Sequence, residues 1–237
     1  MSELIRSAAM RLLLINPNTS AHITERLTTS ARRALAPDAE LYAMTALEGP
    51  PAVRSANEIP AATRNVIEMT RQFGPEHDAV LIGISLDCGL DEARRLCTPR
   101  PVIGMTEAAC LMACLHGPRF GLLTLGGSMA NLYKEHVAKL GLAQRLVAVA
   151  APDAPWAFDA AGDTLSGELL DQLSRAGTTL REQGADSVVL AGAVLCGYGP
   201  VLERRLGLPV LDGVVCAVKL ACAQLAPLSN VGFQLTR

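Results

Sequence analysis

The chain has 237 residues, half of them hydrophobic but only 3% aromatic, and a formal net charge of −2. Such a length exceeds a usual single core and suits two α/β units of about 100–120 residues each. The charge balance, with no strongly basic face, argues against nucleic acid as a partner, and the longest apolar runs, such as residues 188–195, are too short to span a membrane.

Residues 1–9 read as a disordered lead before Met10, without the long apolar core or small-residue cleavage site of a secretory signal. Strand and helix patterns then alternate. Residues 11–16 read as a strand and 19–35 as a helix with Ser20 as candidate cap. A strand over 39–45 and a helix over 58–73 follow. Next come a buried strand over 79–85, a short helix over 91–96 and a strand over 101–105. An apolar helix over 106–116 places Cys110 and Cys114 on one face. The pattern continues with a strand over 119–124, a helix over 130–140 and a strand over 144–149. It closes with a helix over 167–183, strands over 187–193 and 208–211, and a helix over 214–225. The alternation predicts parallel sheets with right-handed crossovers.

An internal repeat sharpens this to two pseudo-symmetric Rossmann-like subdomains with the active site in the cleft between them. Residues 80–104 and 188–213 each read as a strand, a loop with Cys-Gly, a short helix and a proline-led strand. Cys88-Gly89 matches Cys196-Gly197, and Pro101-Val102-Ile103 matches Pro209-Val210-Leu211, both 108 positions apart. The expected division is 10–105 plus 213–237 for one subdomain and 106–212 for the other.

Ligands of parallel α/β units gather at the carboxyl ends of the strands, where helix N-termini supply free N–H groups. Cys88 and Cys196 fall in such loops, an environment that favours thiolate. Facing each other across the cleft, one thiolate removes a proton from an acidic carbon and the opposite thiol returns one, which is racemisation without a cofactor. Ser85, Thr124, Gly126, Gly127 and Ser128 suit the stabilisation of the enolate. Asn16, Pro17 and Asn18, after the first strand, read as ligand-binding or as a turn that caps the next helix. Asp87 either orients Cys88, acts as a base or caps a helix. Glu107 either caps a helix or contacts ligand. Tyr133 and His136 read as packing or surface residues, Arg94-Arg95 and Arg204-Arg205 as solvated helix faces, and the other five cysteines as structural. The odd cysteine count, with no CxxC pair, and four scattered histidines point to free thiols in a reducing cytoplasm and to no metal site.

The segments Ile15-Asn16-Pro17-Asn18-Thr19-Ser20, Gly89-Leu90-Asp91, Pro101-Val102-Ile103-Gly104 with Glu107-Ala108, 184–190 (GADSVVL), and Leu208-Pro209-Val210-Leu211-Asp212-Gly213 with Ala217-Val218 carry a family resemblance. The chain resembles the Asp/Glu/hydantoin racemase superfamily, in particular its hydantoin/allantoin racemase branch. That resemblance implies cofactor-independent proton transfer by two cysteines, with Asn16 binding the ring of a hydantoin-like substrate and with assembly into a homo-oligomer. It also places the family's first cysteine at Gly83 or Ile84 and the second at Gly192, so that Cys88 and Cys196 stand about four residues further on. Either the pair has migrated together and still faces the cleft, or the chemistry differs. The stretch Gly83-Ile84-Ser85-Leu86 is similar to the glycine and hydroxyl-rich loop of the superfamily's decarboxylases, which nevertheless keep the second cysteine. The leading expectation is a racemase or epimerase of a hydantoin-like or amino-acid-derived small molecule. A lyase or hydrolase on the same scaffold is the alternative, and a non-catalytic small-molecule-binding protein the third.

Overall fold

The computed structural model describes residues 9–152 and 165–226. The first half contains β1 (Met10–Asn16), α1 (Ala21–Arg32), β2 (Ala39–Thr45), α2 (Ile59–Phe73), β3 (Ala79–Ile82), α3 (Leu90–Cys97) and β4 (Val102–Gly104), and α4 (Met105–Ala113) leads out of it. The second repeats the plan with β5 (Phe120–Thr124), α5 (Ala130–Lys139), β6 (Leu146–Ala150), α6 (Gly167–Glu182), β7 (Ser187–Ala191), α7 (Gly199–Leu206) and β8 (Val210–Asp212), and α8 (Gly213–Leu225) closes it. Strand order is β2-β1-β3-β4 in one sheet and β6-β5-β7-β8 in the other, and every pairing is parallel. The two parallel sheets flanked by helices agree with the α/β reading of the repeat.

The strands lack polar alternation because helices cover both faces of each sheet. Leu12, Leu13, Leu14 and Ile15 of β1 are completely buried, as are Val80, Leu81 and Ile82 of β3. The outer helices bury one stripe each. In α2 this is Ala62, Val66 and Thr70, spaced by four, and in α6 it is Leu169, Leu173, Gly177 and Leu180. The helices α4 and α8 have a different task. They pack against each other, and each also crosses to the other sheet, α4 onto β7 and α8 onto β3. Their apolar residues join Leu14, Phe120, Leu122 and Val189 in the largest core, which lies at the seam between the sheets.

Several boundaries differ from the sequence pattern. The strand expected over 79–85 stops at Ile82, and its last ladder bond runs from the Gly83 N–H to the Ile15 carbonyl at 2.8 Å. Beyond it the chain turns, with the Asp87 N–H bonded to the Ile84 carbonyl at 2.9 Å. The strand expected over 187–193 likewise ends at Ala191. Ser20 stands at the cap position of α1 without capping it, because its hydroxyl donates to the Pro51 carbonyl at 2.7 Å. Among the described residues, no helix is long and apolar enough to cross a membrane.

Candidate functional site

A cavity of about 550 Å³ opens at the carboxyl ends of the strands, between the halves. Its walls come from the loops after β1, β2, β3, β5, β6 and β7, from Ile23 of α1 and from the start of α5. Asn18, Ser85, Thr124, Gly126, Gly127, Ser128 and Gly192, all expected at the site, line it. Apolar side chains, including Ile84, Leu86, Leu125, Met129 and Val194, form most of the remaining surface, and the exposed Arg54 also contributes to it.

The polar focus is a trio of hydroxyls. Tyr133, in the first turns of α5, is 5% exposed and shares side-chain hydrogen bonds with Ser85 from the β3 loop and Thr124 from the end of β5. Burial pushes the Tyr133 hydroxyl above its ordinary pKa, and the bonds to Ser85 and Thr124 only partly offset this. It therefore keeps its proton at neutral pH and presents a donor to the cavity. Gly126, Gly127 and Ser128 form the turn into α5, where the first N–H groups of a helix lack partners within it. Hydroxyls and a helix start thus share the lining of one cavity, a set of groups suited to negative charge developing on a carbonyl oxygen. Tyr133 is the principal residue missed in the sequence. Its signal is a phenol in the first helical turns after the glycine pair, in the helix that follows a central strand.

The two cysteines do not meet there. Cys88 does not line the cavity; it is 6% exposed and packs with Ile82, Leu90 and Ala93. Burial, and then the negative charge of Asp87, push its thiol up to about 12. Cys196 is 2% exposed and borders a separate cavity of about 300 Å³ beside Arg26 and Tyr198. Its thiol is also raised well above the ordinary value, by burial first and then by Asp212. The expected pair of sulfurs facing one substrate is not found in the lining of this cavity. The loops turn away from the cavity before they reach Cys88 and Cys196.

Other expected residues serve the frame. Asn16 is fully buried, and its amide donates to Asn18 Oδ1 at 3.1 Å, the Ser20 carbonyl at 3.2 Å and Thr24 Oγ1 at 2.9 Å. With its donors spent on the turn after β1, Asn16 does not reach the cavity, and neither does Pro17, whose carbonyl accepts from Asn65 Nδ2 at 2.9 Å. Asp87 is also outside it; its carboxylate accepts the Thr106 N–H at 3.1 Å and the Glu107 N–H at 2.8 Å, capping α4, and meets His136 Nε2 at 2.9 Å. Glu107 forms an ion pair with Arg94, so this arginine is not simply solvated. The described residues contain no group of three or more His, Cys, Asp or Glu placed to hold a metal.

The structure also decides which residue after β3 faces the cavity. A Cβ on Gly83 would lie 2.9 Å from Leu27 Cδ1 and 3.0 Å from the Ile15 carbonyl oxygen, so Gly83 faces α1. Ile84 lines the cavity, as does Gly192, its counterpart 108 positions later.

Residues 12–221 match the family model described as Asp/Glu/Hydantoin racemase. The chain belongs to the Asp/Glu/hydantoin racemase family. A hydantoin racemase of Paenarthrobacter aurescens is 29% identical over 230 residues, covering 96% of this chain and 94% of that protein. The allantoin racemase from Klebsiella pneumoniae is 31% identical and superposes with a TM-score of 0.84, covering 92% of this chain and 88% of the other. An arylmalonate decarboxylase, 15% identical with a TM-score of 0.64 over 93% of this chain and 94% of its own, shares the fold. In this member of the racemase family, the two strand-end positions that face the cavity are an isoleucine and a glycine.

Proposed function

We propose that this chain is an isomerase that racemises or epimerises a hydantoin-like or amino-acid-derived small molecule, without a cofactor, in the cavity at the strand ends. The similarity to hydantoin and allantoin racemases supports the reaction class. The observation that carries the reading onto these residues is the trio Ser85, Thr124 and Tyr133 in the cavity lining. Loss of a proton from a carbon beside a carbonyl leaves charge on the oxygen. The protonated Tyr133 hydroxyl, whose oxygen accepts from the Ser85 and Thr124 hydroxyls, and the N–H groups at 126–128 hold that charge, each donor to the oxyanion being worth about 10²–10³-fold in rate. Asn18 and Gly192 shape the remaining wall. The planar enolate accepts its proton on either face, which scrambles the stereocentre.

Among the described residues lining the cavity there is no carboxylate, imidazole or thiol. The proton therefore passes to a solvent water that acts as the base, solvent returns one to either face of the enolate, and Cys88 and Cys196 serve packing. The same observation favours a second reading, a lyase. Cleavage of a carbon–carboxylate bond leaves its electron pair on the carbon as the same enolate, releases carbon dioxide and needs no base to begin; solvent then supplies one proton. A cytoplasmic location and a homo-oligomeric state complete the proposal.

Single enantiomers of allantoin and 5-substituted hydantoins, and prochiral α-aryl malonates, incubated with the protein in deuterated water, separate these readings. Decay of optical rotation with deuterium incorporated at the stereocentre is the expected result. Carbon dioxide release without exchange would establish the lyase. Ligand-induced thermal stabilisation with neither signal would make the protein a binder only.

A further inference from the structure

The loops after β3 and β7, one from each sheet, both line the cavity, through Ile84 and Ser85 in the first and Gly192 and Val194 in the second. Each loop is tied down by one buried carboxylate. Asp87, 4% exposed, sits on the first loop with φ at +47° and caps the N-terminus of α4 through the N–H groups of Thr106 and Glu107. Asp212, 7% exposed, ends β8 and caps α8 through the Val214 N–H at 3.1 Å. It also accepts the Gly197 N–H of the second loop at 2.6 Å.

The two arrangements are related by the internal repeat, with the carboxylate exchanged between partners. The position equivalent to Asp212, 108 residues earlier, is Gly104. A Cβ on Gly104 would fall 2.3 Å from Asp87 Cγ. The volume filled in one half by a side chain from the strand end is thus filled in the other by a side chain from the loop. Both carboxylates then reach across the seam. Asp87, in the first half, meets His136 Nε2 on α5 at 2.9 Å, and Asp212, in the second, accepts the Ser30 hydroxyl on α1 at 2.7 Å. Since α1 and α5 are the helices that follow β1 and β5, they are counterparts in the repeat. His136 lies one helical turn beyond Tyr133, so the latch on His136 also fixes how deeply α5 places the Tyr133 hydroxyl between Ser85 and Thr124.

We propose that Asp87 and Asp212 are paired positioning residues that act through His136 and Ser30 on the opposite half to hold the two cavity-lining loops, and with them the hydroxyl trio, at a fixed separation. For catalysis the inference rests on the cavity being the reaction site. Four contacts of 2.6–2.9 Å, to Glu107, His136, Gly197 and Ser30, converge on these two buried carboxylates. Hydrogen bonds to charged groups shielded from water are stronger than neutral ones, and the remaining partner is left costly when one is removed. Neither His136 nor Ser30 lines the cavity, so neither acts by touching substrate.

The test uses His136→Ala, Ser30→Ala and the conservative His136→Gln and Ser30→Thr in the full chain. Amide hydrogen exchange by mass spectrometry reports on the loops whether or not turnover is found. His136→Ala is expected to speed exchange in residues 83–89, and Ser30→Ala in residues 193–198, by about tenfold, with the distal strands unchanged. For whichever turnover the parent shows, kcat is expected to fall about tenfold while KM moves less than about threefold. The conservative variants recover both readouts, and in a Tyr133→Phe background His136→Ala costs little more. Loop exchange at the parent rate, acceleration spread evenly over the chain, or a loss in kcat that His136→Gln does not recover would overturn the proposal. A parent without turnover overturns the catalytic reading alone, and loop exchange still decides whether the latches hold the walls.

Discussion

Cys88 lies among Ile82, Leu90 and Ala93, where a thiol is a small hydrophobe rather than a nucleophile. With its pKa near 12, roughly one molecule in 10⁵ carries the thiolate at neutral pH. Cys88→Ala and Cys196→Ala are therefore expected to keep turnover within about twofold while costing about 1–2 kcal/mol each in urea unfolding. A loss of two orders of magnitude in kcat from either would return the sulfurs to the mechanism. Their raised pKa values have a second consequence, and its sign is definite. Cys88 and Cys216 stay protonated in the native state up to about 12, whereas in the unfolded chain they ionise near 9.0. Between those limits the native state binds protons that the unfolded state has lost, so stability is fully present below about pH 9 and declines as pH rises towards 12, at about 1.4 kcal/mol per pH unit for each thiol. Urea midpoints between pH 8 and pH 10.5 measure this, and the decline is expected to shrink in Cys88→Ala. Tyr133 is the opposite case, a polar group whose burial makes it useful. Tyr133→Phe removes the donor but keeps the ring, and is expected to lower kcat about 10²-fold with the fold intact by circular dichroism. Retention of full turnover would remove the hydroxyl trio from the chemistry.

At the scale of elements, the apolar strands and amphipathic helices were legible because each writes its burial into a short window. The runs at 11–16, 79–82 and 187–191 have no polar face, and α2 and α6 carry four-residue spacing. The strand ends were not legible. Gly83, Ile84 and Ser85 continue the apolar look of β3, yet pairing stops because the neighbouring strand offers Gly83 its last acceptor, the Ile15 carbonyl. That acceptor lies 68 positions away in the chain, and no local pattern reports it. The same holds for Gly104, which looks like an ordinary strand residue. It sits where β4 passes into α4, and its missing side chain makes room for the Asp87 carboxylate. Gly104→Ala pushes a methyl group into that carboxylate and is expected to cost about 1–3 kcal/mol, because the cap of α4 and the bond to His136 shift together. Thermal melts of Gly104→Ala and Asp87→Ala test the coupling. If Gly104→Ala costs nothing, α4 is not held in the way the hydrogen bonds imply.

For the whole molecule, the repeat at 108 positions located the two-sheet architecture and the loops that line the cavity, but the members it singled out, Cys88 and Cys196, are not in that lining. Cys88 and Cys196 are equivalent by the repeat, yet so are Ile84 and Gly192, and sequence alone does not say which pair looks inward. Strand termination decides it. Each loop lines the cavity within the first four residues after its strand and then enters a core, so of the two pairs only the earlier borders the shared space. This pairing makes the missing thiols a testable feature of the fold. Ile84 is 7% exposed and lines the wall beside Ser85, so Ile84→Cys places a sulfur at the cavity with no demand on the backbone. Gly192 has φ at +143°, and although a Cβ there would meet nothing closer than 3.8 Å, Gly192→Cys forces a side chain onto backbone that favours glycine, at about 1–3 kcal/mol. The two changes should thus separate in effect. Ile84→Cys is expected to raise deuterium exchange at the substrate stereocentre about tenfold or more with little loss of stability, because it supplies the base the described lining lacks. Gly192→Cys alone is expected to lower the melting temperature and to add catalysis only together with Ile84→Cys, when one thiol stands on each wall. Exchange rates followed by proton NMR against pH resolve this. An Ile84→Cys protein that carries a titrating thiol but exchanges no faster than the parent would show that the acidic carbon binds away from the end of β3.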